Sequence, residues 1–268
     1  MPSVEENLNV WDGFDWTEEG EEWSRLWGGS RAAWQASLFP RIHSYLPVKR
    51  GLEIAPGFGR WTEYLKDSCE ELTLVDLTPR CIEHCRRRFA AETHIKYAVN
   101  DGKSLPMVAD RSIDFAFSFD SLVHADADAI EGYVKELSRV LAADGVAFIH
   151  HSNAGEYKSY FSLMRKLPRG KNFLQRVGVI RDDSWRGLTV TADLFRQFCK
   201  TYGLHLNSQE LISWTHSWPI DCLSVVTLPG SKQLRPTQTI ENRQFYREVR
   251  YIGNWSKLYF DADKNSKP

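Results

Sequence analysis

R-G-L-E-I-A-P-G-F-G-R-W-T, Arg50 to Thr62, is the stretch on which the reading of the chain turns. A short apolar run, Leu52 and Ile54 around Glu53, breaks at Ala55-Pro56-Gly57-Phe58-Gly59 and restarts with helical spacing from Arg60 and Trp61. That order is a strand, a tight turn and a helix start. Small residues let the backbone approach a ligand, the N–H groups of the following helix point at it, and a nearby carboxylate accepts from ribose hydroxyls or an amine. Many strand-to-helix connections carry two glycines and no ligand, so the surroundings decide.

A second apolar run, Leu72 to Leu77, contains Asp76 near its end, roughly 20 residues beyond the first strand, the span that brings a second carboxylate beside the same pocket. Leu52-Glu53-Ile54-Ala55-Pro56-Gly57-Phe58-Gly59 followed by Leu74-Val75-Asp76 resembles the first two motifs of the class I S-adenosylmethionine-dependent methyltransferases, not the G-x-G-x-x-G of dehydrogenases. The resemblance implies an α/β, doubly wound, seven-stranded and mostly parallel sheet with an antiparallel last strand. It also implies S-adenosylmethionine as methyl donor and S-adenosylhomocysteine as product. The cofactor positions it suggests are Glu53, Ala55, Pro56, Gly57, Gly59, Arg60 and Trp61 around the loop, with Asp76 and Leu77 at the second strand. After the third strand come Asn100, Asp101 and Gly102, where Asp101 fits the residue that bonds the adenine amino group and competes with a plain Asp-Gly turn. Phe119 closes the fourth strand. Ala55 departs from the family, which has glycine there; at an ordinary backbone angle the change is modest.

The remaining chain fits the alternation. Thr78-Pro79 starts a helix, a capping hydroxyl before proline, that runs Arg80 to Phe89. Ile95 to Val99 and Ile113 to Phe119 read as strands, and Asp126 to Leu141 as an amphipathic helix closed by Asp144-Gly145. Val146 to Ile149 is the fifth strand, and Leu204 to Trp214 and Ile220 to Thr227 are the last two, after a helix from Ala192 to Tyr202. The domain spans residues 47–229, with an insertion over about 153–190 that is basic and aromatic. Residues 1–46 form an aromatic-rich cap with a helix from Ser37 to Leu46, and residues 230–268 a polar tail, helical or an oligomer contact, whose end from Lys264 is disordered. Trp11, Trp16, Trp23, Trp27 and Trp34 are half of the 10 tryptophans. So much aromatic surface demands burial, either as a lid over the cofactor and acceptor mouth or as an extension covering one side of the sheet.

Composition sets bounds. With 268 residues, 34 Lys plus Arg against 35 Asp plus Glu and a net charge of −1, the chain has no global attraction to nucleic acid or anionic membrane. Its partner is a small molecule, a sugar in the first instance, with a homo-oligomer contact through the N- or C-terminal segment also open. Five cysteines without framework spacing and an acidic start without a signal-peptide core read as a cytoplasmic chain with reduced thiols. Arg86, Arg87 and Arg88 fan out around their helix as a solvated face.

Methyl transfer from a sulfonium is an in-line displacement, and a hydroxyl acceptor must lose a proton. Past the carboxyl ends of the strands the candidate catalytic residues are Asp120 and His124 after the fourth strand, and His150 and His151 with Asn153 after the fifth. His151 is the expected base and His124 the next choice, histidine being apt for its pKa. A divalent metal on Asp120, His124 and His151 is the alternative chemistry. The resulting expectation is O-methylation of a small molecule, a sugar or glycoside, against N-methylation of a small amine or a non-catalytic binding scaffold.

Overall fold

Parallel pairing begins at the glycine loop and spreads both ways from it. The computed structural model describes residues 3–165, 185–214 and 218–260. Strands β1 (Val48–Ile54) and β2 (Cys69–Asp76) pair in parallel from Val48 opposite Cys69 to Ile54 opposite Val75. β3 (Ile95–Val99), β4 (Ile113–Ser118) and β5 (Leu141–Ser152) extend the parallel set, and β7 (Asp221–Thr227) inserts antiparallel between β5 and β6 (His205–Ile212). The sheet has 8 strands in the order β3-β2-β1-β4-β5-β7-β6-β8. Strand order reverses between β1 and β4, so the loops at their carboxyl ends part and leave a crevice.

The eighth strand corrects the expected seven. β8 (Gln238–Asn242) comes from the C-terminal segment and lies parallel to β6 at the sheet edge. The segment then forms a helix, α6 (Phe245–Tyr259), that buries Phe245, Val249 and Ile252. Gly253 lets this helix close on the turn before Trp27, since a Cβ there would stand 2.1 Å from the Leu26 carbonyl oxygen. Arg41 ties the join: Nη2 donates to Glu210 Oε1 and Nη1 to Glu248 Oε1, both at 2.8 Å. The expected disordered end lies outside the described residues, as do residues 166–184 of the expected insertion.

Alternation along the strands fills both faces. Phe115, Phe117 and Phe148 join Trp27, Trp34 and Trp61 on one side, while Leu52, Ile54, Ala116 and Ile149 meet Ile130, Val134, Leu137 and Phe195 on the other. The helices are α1 (Val4–Gly13), α2 (Pro79–Arg88), α3 (Ala127–Val140), α4 (Lys158–Arg165), α5 (Ala192–Thr201) and α6, with shorter pieces between them. The helical run expected from Ser37 to Leu46 instead begins at Ser30 and continues through short pieces to Tyr45.

β5 is longer than its apolar core predicts. Leu141 already pairs with Ile113, and the register shifts before Phe115 meets Val146, so Asp144-Gly145 sits in a bulge within the strand. At the far end the strand continues through His150 and His151, which pair with Leu223 and Cys222 of β7. That continuation decides which histidines reach the crevice.

Candidate functional site

At the end of β1 the backbone turns through left-handed conformations at Ala55 (φ 57°), Gly57 (φ 58°) and Gly59 (φ 86°). Ala55 therefore occupies a position that favours glycine, so the change from the family's glycine is not the modest one that an ordinary angle would make it. Its conformation is enforced from both sides: its N–H donates to the Val75 carbonyl at 2.7 Å and its carbonyl accepts from Ser121 Oγ at 2.8 Å. Asp76, buried at the end of β2, takes the Gly57 N–H at 3.1 Å and the Thr78 N–H at 2.8 Å. Burial pushes its carboxyl up to about 6 against the pull of those bonds.

Two expected cofactor carboxylates have other employment. Glu53 is buried beneath the loop and does not line the cavity: its Oε2 accepts from Thr62 Oγ1 at 2.6 Å, and burial pushes the acid up to about 8. Alternation is the reason, since Leu52 and Ile54 take the opposite face. Asp101 is exposed, and its Oδ1 accepts the N–H groups of Lys103 and Ser104 at 3.0 and 2.7 Å, closing the turn. Asn100 also stays within that turn and on Tyr133, and Gly59 backs onto Phe89, leaving Gly102, Leu77 and Phe119 as the neighbouring positions that do line the cavity.

The cavity measures about 570 Å³ and is lined both by the loop and by a group of aromatic side chains. Ala55, Pro56, Gly57, Arg60, Trp61 and Asp76 line it from the loop side, and Trp11, Trp16, Trp23, His124, Trp185 and Trp214 also line it. The N-terminal segment shows features of both of its readings, with Trp11, Trp16 and Trp23 lining the cavity and Trp27 and Trp34 covering the sheet. α1 lines the cavity through Val4, Asn7 and Trp11, with Asn7 Nδ2 donating to the His124 carbonyl at 3.0 Å, and Arg80 of α2 donates to the carbonyls of Asp12 and Phe14 at 2.6 and 2.9 Å. Trp16 stacks on Phe58 at 4.7 Å, with His84 on the opposite face of that ring at 3.8 Å. A Cβ on Gly57 would stand 3.0 Å from Trp16, so Trp16 and the loop are matched at van der Waals contact. Trp27 and Trp34 turn instead into the core.

Of the four candidate catalytic residues the structure brings two to the cavity. Asp120 lies there with φ 65°, its Oδ2 accepting from Arg60 Nη2 at 3.0 Å. Arg60 also bonds Ser24 Oγ at 3.1 Å and lies 4.4 Å over Trp61. His124 is nine-tenths buried, with Nδ1 3.1 Å from the Trp185 carbonyl and its ring 5.2 Å from Trp11. That carbonyl accepts only, so Nδ1 carries the proton and Nε2 keeps its lone pair. Burial, with Arg186 nearby, lowers its pKa to about 4.

His151 corrects the expected choice of base. It has no exposed surface, stacks 4.2 Å from Phe195 beneath α5, and has Nδ1 2.9 Å from the Ser152 carbonyl and Nε2 2.8 Å from Ser224 Oγ. His150 points to the other face but is equally sealed, its Nδ1 accepting the Asp120 N–H at 3.0 Å. Asn153 bridges the Pro219 carbonyl and the Ala192 N–H. Both histidines are interior strand residues because β5 continues to Ser152. The metal alternative fails with His151: among the described residues no group of three or more His, Cys, Asp or Glu could hold an ion.

Residues with no local signature complete the chamber. Arg186 binds Asp221 through Nε at 3.0 Å and Nη2 at 2.8 Å, and Trp214 Nε1 donates to the same carboxylate at 2.6 Å. A lone acid opening the apolar run of β7 is the only sequence signal for Asp221. Among the described residues no helix is long and apolar enough to cross a membrane.

Comparison with known proteins agrees with this geometry. Residues 52–149 match the family model described as a methyltransferase domain. Nodulation protein S of Sinorhizobium fredii (strain NBRC 101917 / NGR234) is 30% identical over 100 residues, which cover 37% of this chain and 45% of that protein. The chain thus spans less than half the length of the curated relatives it matches. In fold it is similar to a Pyrococcus horikoshii OT3 protein, with a TM-score of 0.55 and 18% identity over 81% of this chain and 100% of that one. It is likewise similar to an S-adenosylmethionine-dependent methyltransferase of Clostridium acetobutylicum ATCC 824, with a TM-score of 0.54 and 16% identity over 77% and 92% of the two chains.

Proposed function

We propose that the chain, whose residues 52–149 match a methyltransferase domain, is a class I S-adenosylmethionine-dependent methyltransferase that methylates a hydroxyl of a small flat-faced acceptor, a sugar or glycoside, with His124 as the base. S-adenosylmethionine is the cofactor, and the residues present fit it: a turn of left-handed backbone, a buried carboxylate at the end of β2 and a cavity that joins them. Ala55, Gly57, Asp76, Leu77 and Gly102 would hold it. When bound it supplies an electrophilic methyl group on a sulfonium.

One observation carries the assignment of the base: His124 is the candidate histidine that lines the cavity, and its tautomer leaves Nε2 open. The acceptor proton would pass to that atom as oxygen attacks the methyl carbon and the carbon–sulfur bond breaks. The aromatic walls support a flat-faced acceptor, because the indole N–H groups of Trp11, Trp16 and Trp214 are spent on Asn7, the Trp11 carbonyl and Asp221. Those rings offer faces for stacking, not hydrogen bonds. The N-terminal aromatic residues that line the cavity would help keep water from the methyl donor.

A second reading, methylation of a small amine, has one observation in its favour. The lowered pKa of His124 makes it a weak base, and an amine that arrives neutral needs none. A panel of sugars, polyphenols and small amines, with released S-adenosylhomocysteine as readout, separates the two. For a hydroxyl acceptor His124→Ala should lose at least 100-fold in turnover, roughly the contribution of a general base, with S-adenosylhomocysteine affinity retained and His151→Ala active wherever it folds. Full turnover in His124→Ala with a hydroxyl acceptor refutes the base, and no binding of S-adenosylmethionine or S-adenosylhomocysteine refutes the function.

A further inference from the structure

Asp221 is fully buried at the start of β7, and donors from three separate parts of the chain converge on its carboxylate. Arg186 reaches Oδ1 through Nε at 3.0 Å and Oδ2 through Nη2 at 2.8 Å, Trp214 Nε1 reaches Oδ2 at 2.6 Å, and His150 Nε2 stands 3.4 Å from Oδ2, close but poorly aligned. Burial opposes the charge, yet Arg186 and His150 hold the carboxyl well below its usual range. Asp221 itself does not line the cavity, whereas Arg186 and Trp214 do.

The third donor connects to the reacting end. His150 Nδ1 accepts the backbone N–H of Asp120 at 3.0 Å, so the ring proton must sit on Nε2, facing Asp221. Asp120 holds a left-handed backbone angle, lines the cavity and bonds Arg60. Such an angle in a non-glycine residue persists where the surroundings enforce it. The bond to His150 and the ion pair to Arg60 do so here.

We propose that Asp221 is a positioning residue of the methyl-transfer site: from behind the cavity it fixes the tautomer of His150, and through it the backbone of Asp120, while holding Arg186 and Trp214 in the acceptor wall. This rests on the cavity being the acceptor site. A buried Arg–Asp pair alone adds little net stability over apolar packing. What the pair gains from the extra donors is a fixed arrangement of the wall.

The test is the protonation pattern of His150 in the full chain labelled with 15N-histidine, read by two-bond proton–nitrogen correlation, in the wild type, Asp221→Asn and Asp221→Ala. The wild type should show the Nε2–H tautomer at neutral pH; the Nδ1–H form would overturn the proposal, whether or not the variants fold. In Asp221→Asn the amide oxygen takes the place of Oδ2, where Trp214 Nε1, Arg186 Nη2 and His150 Nε2 converge, so His150 should keep the Nε2–H form; a second variant, Asp221→Ala, removes the acceptor from all three. In Asp221→Ala His150 should lose its preference for the Nε2–H form, and the Asp120 amide resonance should shift as its bond to Nδ1 weakens. S-adenosylhomocysteine affinity should stay within about threefold, since none of the loop residues touches Asp221. A folded Asp221→Ala with His150 and the Asp120 amide unchanged overturns the proposal. Failure to find an acceptor would strike the reading of the cavity and leave these spectra as they are.

Discussion

Glu53→Gln separates a structural carboxyl from a cofactor ligand. Glu53 titrates at 4.5 in the unfolded chain and at about 8 in the folded one, because burial beneath the loop disfavours its charge. The native state therefore binds this proton more tightly than the unfolded state. Its contribution to stability is complete below pH 4.5 and is lost as pH rises through 8. Each tenfold difference in proton affinity is worth about 1.4 kcal/mol, so ionisation of the unfolded chain weakens folding by about 3 kcal/mol between pH 4.5 and 7, and by about 5 kcal/mol above pH 9. Glutamine keeps an oxygen for Thr62 Oγ1 and removes the titration. Urea unfolding of both proteins at pH 5, 7 and 9 should give a difference in stability that grows in favour of Glu53→Gln by about 3 kcal/mol from pH 5 to 7 and about 4 kcal/mol from pH 5 to 9. The other carboxyls are common to both proteins and cancel to first order. Calorimetry with S-adenosylhomocysteine should give affinities within about threefold. A difference constant to within about 1 kcal/mol across the series refutes the buried neutral acid, and loss of cofactor affinity in a stable variant refutes its place beneath the loop.

Ala55→Gly should raise stability by up to about 1 kcal/mol, because relief of the left-handed angle exceeds the added entropy of the unfolded chain; a lowered urea midpoint would count against strain at that position. Arg41→Ala leaves Glu210 and Glu248 facing each other in a half-buried joint and should cost about 3 kcal/mol, measured as a fall in melting temperature, whereas an unchanged value would mean the C-terminal segment is not integral to the fold. Since burial lowers the pKa of His124 to about 4, it stays neutral down to about pH 5, and kcat with any hydroxyl acceptor should show no loss of base near pH 6.5. A rate that falls with an ordinary histidine pKa would assign the base elsewhere.

The parts of this protein that were legible in its sequence are those whose information is local. Strand, glycine turn and helix start lie within Arg50–Thr62, and the alternation that follows fixes the parallel sheet and its crevice. The same alternation, applied strictly to Leu52, Glu53 and Ile54, already places Glu53 on the face away from Leu52 and Ile54, so its role beneath the loop was within reach of the sequence. Asp101 was open to its turn reading through the Asp-Gly pair itself. The eighth strand was not, because Gln238–Asn242 has no apolar alternation and owes its pairing to the unfilled edge of β6.

The rim of the site depends on a different quantity, the residue at which β5 stops. A strand ending at Ile149 would release His150 and His151 into the crevice. The observed strand continues because β7, distant in sequence, offers Leu223 and Cys222 as partners. That same insertion brings Asp221 beside His150 and Arg186, so one antiparallel pairing withdraws two histidines from the cavity and supplies the carboxylate that orders its wall. Neither effect has a local signature. A change that shortens the β5–β7 pairing at Ser152 should therefore disturb Asp120 before it disturbs the glycine loop, since Asp120 hangs from His150 while the loop hangs from Asp76.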